Sequence, residues 1–217
     1  MTWIRRLLRR SPRTLSSLAA YSQWAATYAA HAHNPLMAIE QSAMLQLLPP
    51  LKNKTVLDLA CGTGRYGVLA KEQGAAQVLG LDNSFAMLQS AKIDNIGLST
   101  TEAIPLTDAS VDVILCGLAL GHLPRIERSM QEISRVQKAG GIALISDFHP
   151  YQYLSGARRT FKAEDGKVYN VEHYVHLVAD YHRIGQTVGL TMNAILEPTH
   201  QQMPVVLVLR FQKVPSA

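Results

Sequence analysis

The chain has 217 residues, 47% of them hydrophobic, which suits one domain with a substantial core. No run of about 18 apolar residues occurs, which sets a transmembrane helix aside. The net charge of +5 does not describe a nucleic-acid surface, because Arg5, Arg6, Arg9, Arg10 and Arg13 all precede Thr14 with no acid among them, and the rest of the chain balances its 16 acidic residues.

Residues 1–15 therefore read as a basic tail. Trp3, Ile4, Leu7 and Leu8 beside the arginines make it either a weak contact for an anionic membrane or acidic partner, or a frayed terminus. Residues 16–217 read as a single domain. It opens with two helices, 16–33 and 36–48, split by Asn34-Pro35 and closed by Pro49-Pro50, so that 16–50 forms a helical cap. Alternation follows. "KTVLDLA" is a strand whose glycine loop runs into a helix through Gln73. "AQVLGLD" is a strand and "SFAMLQSAKI" a helix. "IGLSTTE" and "SVDVILCGLAL" are strands, "RIERSMQEISRVQK" is an amphipathic helix closed by Ala139-Gly140-Gly141, and "GIALISDF" is a strand. Residues 149–176 are polar and aromatic without a period, and read as a lid. A helix over 175–189 precedes two strands, "LTMNAILEP" and "PVVLVLRFQ", whose short link forces antiparallel pairing. The fold class is α/β: a Rossmann-like, doubly wound, mostly parallel seven-stranded sheet ending in an antiparallel hairpin. Cys61 and Cys116 belong to no CxxC or Cys/His cluster, so no metal site is expected and a reduced cytoplasmic protein, monomeric or homodimeric, is.

The stretch "VLDLACGTGRYG" carries the chemistry. Its tail matches G-x-G-x-x-G, a dinucleotide fingerprint. But Asp58 stands four residues before Gly62, where it would repel a pyrophosphate at the helix N-terminus. A ligand with an ammonium would be attracted instead. Gly62 and Gly64 let the backbone approach it closely. Asp82 lies 20 residues after Gly62, where a carboxylate accepts from ribose hydroxyls of any adenosine cofactor. Asp58 and the terminal hairpin thus favour an amino-acid-bearing nucleoside over the rival reading, a nicotinamide-dependent oxidoreductase. A non-catalytic cofactor-binding partner subunit is the second rival.

From about Leu51 to Phe148 the chain resembles the class I S-adenosylmethionine-dependent methyltransferases, in particular the type 11 small-molecule group. "VLDLACGTG" is similar to that family's first motif, which implies that Asp58, Ala60, Gly62 and Gly64 line the methionine end. "GLDNSFAML" resembles the second, placing Asp82 on the ribose and Asn83 and Met87 beside the adenine. In "TEAIPLTDASVDVILC" Thr100 replaces the usual acid, leaving Thr101 and Glu102 as the adenine contact. "GLALGHL" resembles the segment under the cofactor and brings in Leu118 and His122. Tyr21, Trp24, Ala25 and Tyr28 resemble the capping helix, with Tyr21 and Tyr28 as cofactor contacts. The resemblance implies S-adenosylmethionine as cofactor, S-adenosylhomocysteine as product, and a small-molecule acceptor methylated at O, N or C.

His122 and His149 are the candidate bases, needed only if the nucleophile arrives protonated; each could equally be a packing residue. Tyr151, Tyr153, His173 and His176 are candidate substrate contacts, and Arg158 and Arg159 could meet a substrate carboxylate or be a solvated edge. Asp147 lacks the neighbouring Asp or Asn that a catechol-type magnesium site would use. The loop after "VDVILC" lacks an Asn/Asp-Pro-Pro-aromatic tetrad for a flipped base, so no nucleic acid partner is expected.

Overall fold

The computed structural model describes residues 12–163 and 166–215. Most of the basic tail, with Arg5, Arg6, Arg9 and Arg10, lies outside them. Strand β1 (Thr14–Leu15) leads into α1 (Ser17–Trp24), whose N-cap Ser16 accepts a hydrogen bond from the Ala19 N–H at 3.3 Å. The sequence predicts helix as far as residue 33, but α1 stops at Trp24 and one 3-10 turn follows. Trp24 stacks on Phe161 at 5.4 Å, and Tyr28 meets His33 edge-on at 4.9 Å. Packing these rings on one another outweighs continuing the helix. Helix α2 (Pro35–Leu47) starts at Asn34, whose side chain accepts from the Met37 N–H, with Pro35 at the first position.

The core then alternates through β2 (Thr55–Leu59), α3 (Arg65–Glu72), β3 (Gln77–Asp82), α4 (Phe85–Gln89), β4 (Ile96–Leu98), β5 (Val111–Gly117), α5 (Glu127–Val136) and β6 (Gln137–Phe148). After α6 (Pro150–Leu154), β7 (Thr160–Lys162), β8 (Val168–Val171) and α7 (Val178–Thr187) come β9 (Leu190–Leu196), the two-residue strands β10 (Thr199–His200) and β11 (Met203–Pro204), and β12 (Val206–Lys213). Seven strands form one sheet in the order β4-β3-β2-β5-β6-β12-β9. Neighbours from β4 to β6 run parallel, and β12 is antiparallel to both β6 and β9. The expected sheet and its closing hairpin are both present.

Period-two alternation sends side chains to opposite faces. Leu57, Leu59, Ile114, Cys116, Ile145, Leu207 and Leu209 pack under α5 and α7, against Ile126, Met130, Ile133, Tyr181 and Ile184. Val56, Val113, Leu115, Leu144, Val206 and Val208 face α2 and α3, against Met37, Met44, Tyr66 and Ala70. The same alternation puts Asp58 on the α2/α3 face.

Two further differences from the sequence reading lie at α4 and α5. Helix α4 ends at Gln89 rather than near residue 93 because the chain turns back on the glycine loop. The Lys92 N–H donates to the Thr63 carbonyl, and Ile93, 4% exposed, drops between Gly67 and Gly80. A Cβ on Gly67 would stand 2.8 Å from Ile93 Cδ1 and 3.3 Å from Asp58 Oδ2. Gly67→Ala is therefore expected to lower stability by about 1–3 kcal/mol in urea denaturation; a neutral change would show that the Ile93 contact yields freely. The second difference is at α5, which ends at Val136 and passes directly into β6, so Ala139-Gly140-Gly141 lies inside a strand. The register between β5 and β6 shifts there, and Gly141 faces the Asp112 carbonyl too closely for a Cβ.

The aperiodic segment after residue 149 has structure that its letters do not announce. β7 and β8 form a hairpin, and β1 pairs parallel to β8 through Thr14 with Asn170 and Leu15 with Val171. Phe161 and Val171 bury against Ala20 of α1, making a small core separate from the two that flank the large sheet.

Candidate active site

A cleft of about 1100 Å³, its open mouth included, lies at the C-terminal ends of β2, β3 and β5. Connections run outward in opposite directions from β2 and β5, the place where an open α/β sheet leaves a crevice. Asp58, Ala60, Cys61 and Gly62 come from the end of β2, Asp82, Asn83 and Met87 from β3 and α4, and Gly117, Leu118, Ala119, His122 and Leu123 from β5 and its loop. Ser99 to Glu102 line one end; Ser17, Tyr21, Tyr28, Arg65 and Tyr66 line the other walls. Every residue singled out in the sequence as a cofactor contact is on this wall except Gly64. Gly64 turns at φ +92° to start α3 and packs behind the loop on Ile93.

The glycine loop is tied down by its own N–H groups. Gly62 N–H donates to Asp82 Oδ2 at 2.7 Å, Gly67 N–H to Asp58 Oδ2 at 2.7 Å, Gly64 N–H to the Cys61 carbonyl, and Cys61 N–H to the Leu81 carbonyl. Asp82 Oδ1 accepts from the Ser84 N–H at 2.8 Å. Both carboxylates are buried, yet both reach the cleft. Burial pushes Asp58 up to about 7 against the opposing hydrogen bond from Gly67, and burial also raises Asp82. Ala60 and Leu118, directly after β2 and β5, hold left-handed backbones at φ 56° and 55°. For residues other than glycine this costs about 1–3 kcal/mol each, and both strained residues stand on the wall of the cleft.

Beneath the cleft lies a buried charge network that the sequence did not reveal. Glu40 of α2 is fully buried; its Oε1 accepts from Tyr66 OH at 2.6 Å and Ser146 OH at 2.5 Å, and its Oε2 pairs with the Arg65 guanidinium at 2.8 Å. Arg65 also donates to Gln41 and lies over the Tyr66 ring. The only sequence signal was an arginine immediately after the last turn glycine.

His122 lines the cleft with both ring nitrogens engaged. Nδ1 faces the Glu172 carbonyl at 2.7 Å, so it carries the proton; Nε2 accepts from Tyr21 OH at 3.1 Å. Burial, with Arg159 adding to it, lowers its pKa to about 3, so the ring is neutral. The other sequence candidates are not on the cleft wall. His149 caps α6, accepting from the Tyr151 N–H, and its Nε2 lies 3.2 Å from Glu197. Tyr151 is exposed. Tyr153 stacks on the His173 ring, and the Arg158 guanidinium lies over the Tyr153 ring. His173 is buried 3.5 Å from Asp147, whose other oxygen accepts from Tyr181 OH, and His176 bonds the Leu123 carbonyl. With the Tyr174 N–H to Gly121 carbonyl bond, these contacts strap 172–176 onto the loop that carries His122.

Residues 57–145 match the family described as Methyltransferase domain, the stretch that holds β2 to β6 and the glycine loop. An uncharacterized protein of Haemophilus influenzae is 31% identical over 151 residues, covering 63% of this chain and 59% of that one. A malonyl-[acyl-carrier protein] O-methyltransferase of Hamiltonella defensa is 30% identical over 125 residues, covering 54% and 48%. The chain thus spans about half the length of the curated relatives it matches. Among solved structures, an S-adenosylmethionine-dependent methyltransferase of Mesorhizobium loti superposes with a TM-score of 0.68 at 21% identity, over 81% of this chain and 98% of that one, which shows the shared fold.

Proposed function

We propose that the chain transfers a methyl group from S-adenosylmethionine to an O, N or C nucleophile of a small organic acceptor. One observation carries this reading. The loop that would cradle a pyrophosphate has already spent its Cys61, Gly62, Gly64 and Gly67 N–H groups internally, and two carboxylates reach the cleft beside it. A phosphate would meet repulsion there; an ammonium-bearing nucleoside would meet attraction. Asp58, Ala60, Gly62, Tyr21 and Tyr28 would hold the amino-acid end. Asp82 would accept from the ribose, and Asn83, Met87, Thr101 and Glu102 would surround the base. The Hamiltonella relative's O-methyltransferase activity supports the reading as a precedent for group transfer by such a chain.

The cofactor supplies an electrophilic methyl on sulfur. The protein's task is then to align an acceptor and exclude water, and positioning of this kind lowers a barrier by up to roughly 7–11 kcal/mol. His122, neutral and bonded at both nitrogens, shapes the wall and orients Tyr21. The buried thiols Cys61 and Cys116 suit a reducing compartment, in keeping with action in the cytoplasm. Among the described residues no helix is long and apolar enough to cross a membrane.

The test is ligand-induced thermal stabilisation. S-adenosylhomocysteine at a hundred times its Kd is expected to stabilise the protein by about 2.7 kcal/mol, and NAD to leave it unchanged. Stabilisation by NAD alone overturns the reading. The same titration carries a pH signature. Asp58 ionises at about 7 in the free protein, and only its carboxylate attracts an ammonium. Affinity is therefore expected to fall as pH drops from 7 to 5, by up to about tenfold per unit, and the Asp58→Asn profile is expected to be flatter.

A further inference from the structure

Residues 172–174 grip the cleft loop at two points and send a side chain between them. The Glu172 carbonyl accepts from His122 Nδ1 at 2.7 Å, and the Tyr174 N–H donates to the Gly121 carbonyl at 2.7 Å. Tyr174 OH braces the grip by donating to Glu172 Oε1 at 2.6 Å. His173 turns inward from between them, its side chain only 3% exposed. Its Nε2 comes to rest 3.5 Å from Oδ1 of Asp147, the buried carboxylate near the end of β6. The rings of Phe148, edge-on at 5.6 Å, and Tyr153, stacked at 6.1 Å, flank the imidazole.

Burial alone would raise the Asp147 carboxyl. His173, the Tyr181 hydroxyl at 2.7 Å and the field of Arg159 outweigh it and hold the group below the usual carboxylate range, so Asp147 is ionised. A buried carboxylate needs donors around it, and the nitrogen that faces Oδ1 therefore carries a proton. Among the described residues neither His173 nitrogen has a hydrogen bond of ordinary geometry, so the attraction of Asp147 is what draws this ring out of water. Gly121 lies against both partners. A Cβ there would collide with Asp147 Oδ1 and stand 2.7 Å from His173 Nε2, so the loop and the pair meet only through a glycine.

The next residue of the loop is His122, whose ring is set from this side. The Glu172 carbonyl takes the Nδ1 proton, which leaves Nε2 bare to accept from Tyr21 OH. We propose that His173 is a positioning residue for the cleft: its contact with Asp147 pins residues 172–174, which hold His122 in its Nδ1–H form and thereby aim the Tyr21 hydroxyl. The pin works through backbone groups and touches no ligand. It rests on the methyl-transfer reading only in that Tyr21 is taken as a cofactor contact.

The experiment follows the His122 ring by two-bond proton–nitrogen NMR in the full chain with labelled histidine, its signal assigned by its loss in His122→Gln. In the wild type the ring is expected to show the Nδ1–H form and to stay neutral down to about pH 5, well below the ordinary histidine range. In His173→Ala it is expected to become a mixture of tautomers and to titrate near the ordinary value of about 6.5. The affinity for S-adenosylhomocysteine at about pH 8, above the Asp58 ionisation, is expected to fall about threefold to tenfold, the worth of one neutral hydrogen bond. His173→Gln, whose amide can still donate to Asp147, is expected to recover most of the wild-type signal. Gly121→Ala keeps both partners but wedges them apart, and is expected to reproduce the alanine result if His173→Ala does not fold. A wild-type His122 in the other tautomer, a His122 signal unmoved in a folded His173→Ala or Gly121→Ala chain, or a glutamine variant no better than alanine overturns the proposal. Failure of the wild-type chain to bind S-adenosylhomocysteine while His122 behaves as expected would count against the cofactor reading instead.

Discussion

Glu40→Ala is expected to destabilise the fold by about 3–5 kcal/mol, the usual result of removing one partner from a buried ion pair. The carboxylate has no solvent contact, and three groups depend on it: the Arg65 guanidinium and the hydroxyls of Tyr66 and Ser146. Deleting it leaves a buried cation without a counter-ion and two buried hydroxyls short of an acceptor. It also loosens three elements at once, since α2, α3 and β6 meet there. Urea denaturation with a two-state fit measures the loss. Glu40→Gln separates the contributions, because it keeps an acceptor and removes the charge. A loss below about 1 kcal/mol for the alanine variant, the level of an exposed pair, would mean that water replaces the carboxylate. The site should respond as well, because Arg65 and Tyr66 both line the cleft.

Asp82→Ala is expected to weaken S-adenosylhomocysteine binding by about tenfold to a hundredfold, the worth of one strong hydrogen bond to a charged group. Asp82 would act twice. Its carboxylate would accept from the ligand's ribose, and it already fixes the Gly62 and Ser84 N–H groups that shape the turn. Isothermal titration gives the affinity. Asp82→Asn is expected to retain part of the backbone anchoring and to lose less. Unchanged affinity in Asp82→Ala would remove the residue from the ligand site.

The parallel half of the fold was legible because its signals are local. A run such as "TVLDLA" states its period, its end and the identity of the strand-end carboxylate in a few letters, so the order of residues alone puts Asp58 and Asp82 at strand ends. The antiparallel finish was legible from a link too short for a crossover. What remained hidden depends on contacts distant in sequence. Glu40 stands in a run that reads as an ordinary helix, and only the fold brings it to Ser146, 106 residues later. Helix α4 looked longer because nothing in its own letters says that Ile93 must fill the space beside Gly67 and Gly80. The lid showed no period because its strands are three or four residues long and pair with one another and with Thr14–Leu15. Among its residues, Tyr153 and His173 pack on each other away from the cleft wall, whereas Arg159, one of two adjacent arginines, reaches the hydroxyl of Tyr21 and the backbone of Leu118. Sequence could not tell those two arginines apart; their neighbours in space do.

The position of β12 has a consequence for biosynthesis. It inserts between β6 and β9, both of which leave the ribosome before it, and its buried residues complete both faces of the sheet. While the chain is being made, β9 has no neighbour to dock on and the β6 edge stays open. The parallel strands β2 to β6 can assemble during synthesis, but the finished sheet waits for residues 206–213. During that interval the bare edge of β6, with Ala143, Leu144 and Ile145, is a stretch on which a chaperone or another nascent chain could pair.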